Sequence, residues 1–116
     1  MLRNDIKQFF RGDVATDDET LEKYSHDYSI FIVRPKAVVF PKDAEDVKNL
    51  VKFINENKGK DKTLSLTGRS AGTDMSGGPL NESLIVDFTR YMNRIIEIGS
   101  DYVRLEPGVY FRDLEK

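Results

Sequence analysis

One run of small residues constrains this chain more than any other: Leu66-Thr67-Gly68-Arg69-Ser70-Ala71-Gly72-Thr73-Asp74-Met75-Ser76-Gly77-Gly78-Pro79. From Thr67 to Glu82 the only bulky apolar side chains are Met75 and Leu80. A loop of that length inside a small domain is uncommon, and such loops are functional or disordered. Strand-like runs at residues 63–66 and 83–87 bracket it closely, which argues against disorder. Its glycines allow close backbone approach, and its N–H groups and hydroxyls are what a bound phosphate needs. The stretch reads as a phosphate cradle; a flexible surface loop is the plainer alternative.

Spacing narrows the kind of cradle. Gly72 and Gly77 have the spacing of a P-loop, but Gly78-Pro79 stands where Lys-Ser/Thr should follow. The G-x-G-x-x-G fingerprint of a dinucleotide turn is absent. Both motifs also open a helix, whereas Pro79, Asn81 and the run Leu84-Ile85-Val86 give a strand. The arrangement is therefore strand–loop–strand. Anion binding falls to backbone N–H groups and hydroxyls, with Arg69 the only cation between Lys62 and Arg90.

The flanking chain supplies a scaffold of α+β type. Ala37-Val38-Val39-Phe40 is a short buried strand between Pro35 and Pro41. Asp43 is placed to cap a helix, with Asp46 three residues on as a weak capping box. Val47, Leu50, Val51 and Ile54 then recur at helical spacing, so one face is expected on a sheet. Gly59 ends that helix, and residues 63–66 form a second strand. This is a βαβ unit, whose strands should be parallel with a right-handed crossover. Leu84-Ile85-Val86 gives a third strand, ending at Asp87. Residues 95–98 and 102–106 form a hairpin through Gly99-Ser100-Asp101, with Val103 and Leu105 on its buried face and Tyr102, Arg104 and Glu106 on the wet one. Pro107-Gly108 turns the chain, and Phe111-Arg112-Asp113-Leu114 resembles a helix start. An end at that point is the expected mark of a piece of a longer protein.

Residues 1–24 read as two short helices. Leu2, Ile6, Phe9 and Phe10 share a face, and Asp17 or Asp18 caps a second helix carrying Leu21 and Tyr24. Phe9 and Phe10 either pack on the domain or offer a docking face. The sole histidine, His26, has no second histidine or cysteine for a metal site and only Asp27 beside it as an orienting group. It reads as a loop residue, so no metal ligand and no catalytic residue is assigned.

Composition closes off other classes. The net charge of -2 gives no general attraction to nucleic acid or an anionic membrane. With no cysteine there is no disulfide, which suits a reducing cytoplasm. The longest apolar runs are far short of a membrane span.

The loop also resembles a family. Thr67-Gly-Arg-Ser-Ala-Gly-Thr-Asp-Met-Ser-Gly-Gly is similar to the pyrophosphate loop of FAD-linked oxidoreductases of the vanillyl-alcohol oxidase / para-cresol methylhydroxylase type, nearest the D-lactate and glycolate dehydrogenase branch. Pro35-x-Ala37-Val38-Val39-x-Pro41, Val86-Asp87-Phe88-Thr89-Arg90-Tyr91-Met92-Asn93-Arg94-Ile95 and Glu106-Pro107-Gly108-Val109 follow the family's order, and Tyr24, Asp27 and Ser29 match its Tyr-x-x-Asp-x-Ser. The resemblance implies the first subdomain of an FAD-binding domain over residues 24–116, cut short at its C-terminal end, after a helical extension over residues 1–23. It implies non-covalent FAD on Arg69, Ser70, Ala71, Gly72, Thr73 and Asp74, completed by Ser76, Gly77 and Gly78, with Pro107 and Gly108 near the flavin. Relatives that tether flavin here carry histidine where Thr73 stands. It implies oxidation of a 2-hydroxy acid such as D-lactate or glycolate, with catalytic side chains and the substrate site beyond Lys116 and this piece inert alone. Two departures stand out. Ser70 and Ala71 replace common glycines, which would strain Ala71 if it needed positive φ, and Asp74 puts a carboxylate beside the anion. The alternative is a small stand-alone α/β module that binds a nucleotide or a protein without redox chemistry.

Overall fold

The computed structural model describes residues 2–114. In chain order these form α1 (Leu2–Lys7), β1 (Asp13–Ala15), α2 (Asp18–Lys23), β2 (Ala37–Phe40), α3 (Ala44–Asn57), β3 (Leu66–Arg69), β4 (Leu84–Asp87), β5 (Ile95–Ile98), β6 (Val103–Leu105) and α4 (Phe111–Leu114). The architecture is α+β, as expected.

The main sheet has the order β1-β2-β4-β3. Its central strands, β2 and β4, are buried along their whole length, which is why they read as unbroken apolar runs. On one face, Ala37, Val39, Leu84 and Val86 pack against Leu50 and Ile54 of α3 and against Ile6, Phe10, Val14 and Leu64. On the other, Val38, Phe40 and Ile85 meet Leu21 and Tyr24. Phe9 tilts against Phe53, with ring centroids 5.4 Å apart, so the aromatic pair packs on the domain.

The helix cap forms as expected: the Asp43 side chain accepts from the Asp46 N–H at 3.0 Å. The Asp46 carboxylate turns elsewhere, onto the Arg11, Gly12 and Lys42 N–H groups, and clamps the N-terminal segment to α3. The helix face is narrower than its periodicity suggests, because Val51 is 53% exposed.

Four elements differ from the sequence reading. Asp13–Ala15 is a strand, antiparallel to β2, inside the region read as purely helical; one buried valine in three residues carries too little periodicity to show it. The strand expected at residues 63–66 lies at Leu66–Arg69 instead, because β4 pairs there, Leu66 opposite Leu84 through Arg69 opposite Asp87. Thr63 is held in a turn by Asp61. The strands flanking α3 are parallel but not adjacent, since β4 lies between them and pairs in parallel with both. In the β5–β6 hairpin the register slips between Ile95 and Glu97, and all of β5 is exposed. Glu106, expected on the wet face, is buried because its carboxylate accepts from the Arg94 backbone and guanidinium. Hydrogen bonds from the Arg94 side chain also hold the Glu106 carboxyl below its ordinary range.

Candidate functional site at the strand ends

The pairing of β3 with β4 sets Arg69 beside Asp87 at the carboxyl ends of the parallel strands. In open parallel sheets that end is where ligands bind. Residues 70–79 leave β3 there. Gly72 and Gly77 have φ of 72° and 84°, a region that side chains with a Cβ rarely enter. No other described residue has positive φ, so Ala71 is unstrained and the departure at that position costs nothing in backbone energy. Ala71, Thr73, Asp74, Met75, Ser76 and Gly78 lie exposed, and Ser70 and Gly77 half-buried.

Asp74 stays exposed and turns toward Gly78. Its carboxylate lies against Gly78, where a Cβ would come within 3.0 Å of Oδ2, and its backbone carbonyl accepts from the Tyr28 N–H at 2.8 Å. The same strap reaches Gly77: a Cβ there would lie 3.1 Å from the Phe31 ring. Asp27 shapes the strap by accepting from the Ser29 N–H at 2.7 Å, and the Ser29 hydroxyl accepts from the Phe31 N–H. Burial raises the Asp27 pKa, but hydrogen bonds from Ser29 and the Gly77 backbone outweigh it and leave the carboxyl below its usual value.

Arg69 is the one assigned cofactor residue that does not present its polar group on this surface. Its guanidinium folds under the loop, so that a Cβ on Gly72 would lie 2.5–2.7 Å from its Nη2, Nε and Cζ atoms. The Cζ atom stands 4.9 Å from the Tyr24 ring centroid. The Tyr24 hydroxyl donates to Asp87, whose other oxygen accepts from the Thr89 N–H and hydroxyl at 2.7 and 2.6 Å. Lys23, Tyr24, Arg69, Ser70, Ala71, Asp87, Thr89 and Tyr110 surround a cleft of about 90 Å³. Thr89 and Tyr110 also border a second cleft with Gly108, of about 270 Å³. Gly108 is thus brought to the same end of the sheet, seated where a Cβ would strike the Phe88 carbonyl at 2.2 Å.

Sequence reasoning assigned no role here to Asp87, Thr89 or Lys23. Asp-x-Thr directly after an apolar strand was the available signal, an aspartate bonding its own backbone two residues on. His26 lies apart and pairs with Glu22, at 3.2 Å. Among the described residues no cluster of three or more metal-binding side chains gathers, and no helix is long and apolar enough to cross a membrane.

Burial, followed by the hydrogen bond to Asp87, pushes the Tyr24 phenol above its ordinary pKa. The native state then holds this proton where the unfolded chain, with a tyrosine pKa of about 10, has released it. The stability it gives is full below pH ~10 and is lost as pH rises toward the folded value. Melting temperature should fall more steeply above pH ~10 in the wild type than in Tyr24→Phe. Parallel curves for the two proteins would contradict the buried phenol–carboxylate contact.

The surface therefore fits a pyrophosphate: an exposed loop, two glycines at positive φ, hydroxyls and N–H groups, and two cations nearby. Relatives agree. The profile of the FAD binding domain family matches residues 35–116. The chain is 40% identical over 105 residues to D-2-hydroxyglutarate dehydrogenase of Escherichia coli (strain K12), covering 89% of this chain and 10% of that protein. It is 36% identical over 101 residues to the enzyme of the same name from Pseudomonas putida, covering 85% of this chain and 10% of that protein. The chain thus spans about a tenth of the length of these relatives. Among solved structures, p-cresol methylhydroxylase with substrate bound superimposes with a TM-score of 0.75 at 27% identity, over 97% of this chain and 23% of that one. The 4-ethylphenol oxidase of Gulosibacter chungangensis, at 23% identity, shares the fold with a TM-score of 0.78 over 97% of this chain and 22% of that one. With its loop geometry, sheet order and family match in agreement, the chain belongs to the FAD-binding domain family of FAD-linked oxidoreductases.

Proposed function

We propose that this chain is the cofactor-cradling portion of a longer flavin-dependent dehydrogenase, which oxidises a 2-hydroxy acid and holds FAD without a covalent link. The observation that carries the reading is the exposed loop at the carboxyl ends of β3 and β4, bent by Gly72 and Gly77 at positive φ. Backbone N–H groups of residues 70–78, with the hydroxyls of Ser70, Thr73 and Ser76, would receive the pyrophosphate oxygens. Lys23 would offset its charge from the side. The apolar strap of Tyr28, Ile30, Phe31 and Ile32, with Met75, would shield this region from water; Ile30 is 92% and Met75 82% exposed in the chain alone. FAD, when bound, supplies the hydride acceptor, and the chain's own task is to bind and orient it. Residues 1–23 form an extension of this portion, and a reducing cytoplasm suits a chain without cysteine.

For the substrate, D-lactate and glycolate follow from the resemblance of the motifs. The relatives' names favour D-2-hydroxyglutarate, a 2-hydroxy acid with a second carboxylate. The test uses the natural protein that carries this chain. Acid precipitation should release all flavin to the supernatant, because threonine stands at position 73. Added anaerobically, D-2-hydroxyglutarate should bleach the flavin faster than D-lactate or glycolate. Flavin retained in the pellet would overturn the non-covalent assignment, and no bleaching by any 2-hydroxy acid would overturn the substrate class.

A further inference from the structure

Arg69 is the only arginine or lysine within the loop stretch, and by composition it reads as a phosphate ligand. Its surroundings describe another task. The guanidinium is tucked beneath Gly72 and stands over the Tyr24 ring, with Nη1 buried and without a hydrogen-bond partner. Among the described residues no carboxylate grips it in an ion pair, although Asp87 faces Arg69 across the β3–β4 ladder and takes the Tyr24 hydroxyl. Its place is therefore set by the aromatic face below and the Gly72 backbone above. A guanidinium on an aromatic ring is held by the ring quadrupole and by planar contact, which an ammonium on a flexible stem does not reproduce.

We infer that Arg69 is a positioning residue: it props residues 70–78 from beneath through Gly72, and Tyr24, fixed by Asp87, is the seat on which it rests. It does not itself bind the pyrophosphate. The inference rests on reading the loop as a pyrophosphate cradle only for its consequence in FAD affinity; the propping is a property of the loop without ligand. It also accounts for two features together. At Gly72 the guanidinium occupies the place a Cβ would take, and Tyr24 is buried at the strand ends rather than out in the connector.

The experiment measures amide hydrogen exchange of residues 70–78 in flavin-free natural protein, and FAD affinity by fluorescence titration. Arg69→Met should raise loop exchange on the order of tenfold, the scale of a partly buried cation–π contact, and leave exchange in β2 and β4 unchanged. Arg69→Lys should fail to restore it. Tyr24→Leu should loosen the same amides, whereas Tyr24→Phe, which keeps the ring, should stay near wild type. FAD affinity should fall with loop order, and Arg69→Met combined with Tyr24→Leu should be no worse than the more severe single change. Unchanged loop exchange in Arg69→Met and Tyr24→Leu would overturn the inference. So would additive losses of FAD affinity, or rescue of affinity by Arg69→Lys, each of which marks direct contact with the phosphates. Loosened loops that still bind FAD at full affinity would leave the propping intact and instead refute the cradle reading.

Discussion

Asp46→Ala is expected to lower the melting temperature of this domain by more than about 12 °C, taking about 4 °C per kcal/mol for a domain near this size. The Asp46 side chain is almost fully buried, and its two oxygens accept from the Arg11, Gly12 and Lys42 N–H groups, each at 3.0 Å. Alanine leaves one buried and two part-buried N–H donors without their acceptor. A single hydrogen bond to a charged group contributes about 1.5–3 kcal/mol, and a buried donor left without a partner costs about 1–3 kcal/mol. Total domain stability is only about 5–15 kcal/mol, so the change removes a large share of it. Gly12 adds to the argument, because the segment passes so close to β2 that a Cβ would lie 1.9 Å from the Phe40 carbonyl. Asp46→Asn keeps one good acceptor and should recover part of the loss. Arg11→Ala, whose side chain is mostly exposed, should leave the melting temperature close to wild type. Thermal melts followed by circular dichroism decide it: if Asp46→Ala melted within a few degrees of wild type, the carboxylate is not the clamp.

The scaffold was largely legible because its central pieces announce themselves locally. β2 and β4 are buried on both faces, so they appear as runs of Val, Ile and Phe with nothing polar between. α3 carries its own cap in Asp43, and the hairpin its own turn at Gly99. What escaped was decided by partners distant in sequence. Gly68 has no strand character of its own, yet it lies in β3 because β4 offers its edge. Glu106 alternates as a wet residue, and only Arg94 draws it inward. The candidate loop was found from its glycines, but glycine content alone does not say which of them need positive φ; two of the four between residues 68 and 78 do. Arg69 was read from the sequence as an anion ligand, and the structure adds that its guanidinium lies beneath Gly72 and over the Tyr24 ring. A cation among glycines reads as an anion ligand, and the ring it stands over, Tyr24, lies on the far side of a strand and a helix in sequence.

Gly72→Val should abolish FAD binding by the natural protein while leaving its circular dichroism near wild type. Two separate effects act at this residue. Its φ of 72° lies in the left-handed region, where a β-branched residue carries strain of about 1–3 kcal/mol. Its Cβ would also fall 2.5–2.7 Å from the Arg69 guanidinium. Arginine is flexible and could swing aside, but it would then leave the Tyr24 ring, and the loop would lose its support. Escape by backbone rotation instead redirects the N–H groups of residues 72 and 73, which are the proposed phosphate donors. Either escape damages the cradle, so a loss of affinity of at least about 100-fold is expected, equivalent to roughly 2.7 kcal/mol. Gly78→Ala makes the matched comparison. Its φ is not positive, and the new methyl would meet only the tip of Asp74, which can move away. That variant should keep most of its flavin. His26→Ala, which removes only the exposed contact with Glu22, should keep all of it. The ratio of flavin to protein in the three purified variants separates conformation from size. If Gly72→Val retained its FAD, or Gly78→Ala lost as much as Gly72→Val, the bend at Gly72 is not what receives the pyrophosphate.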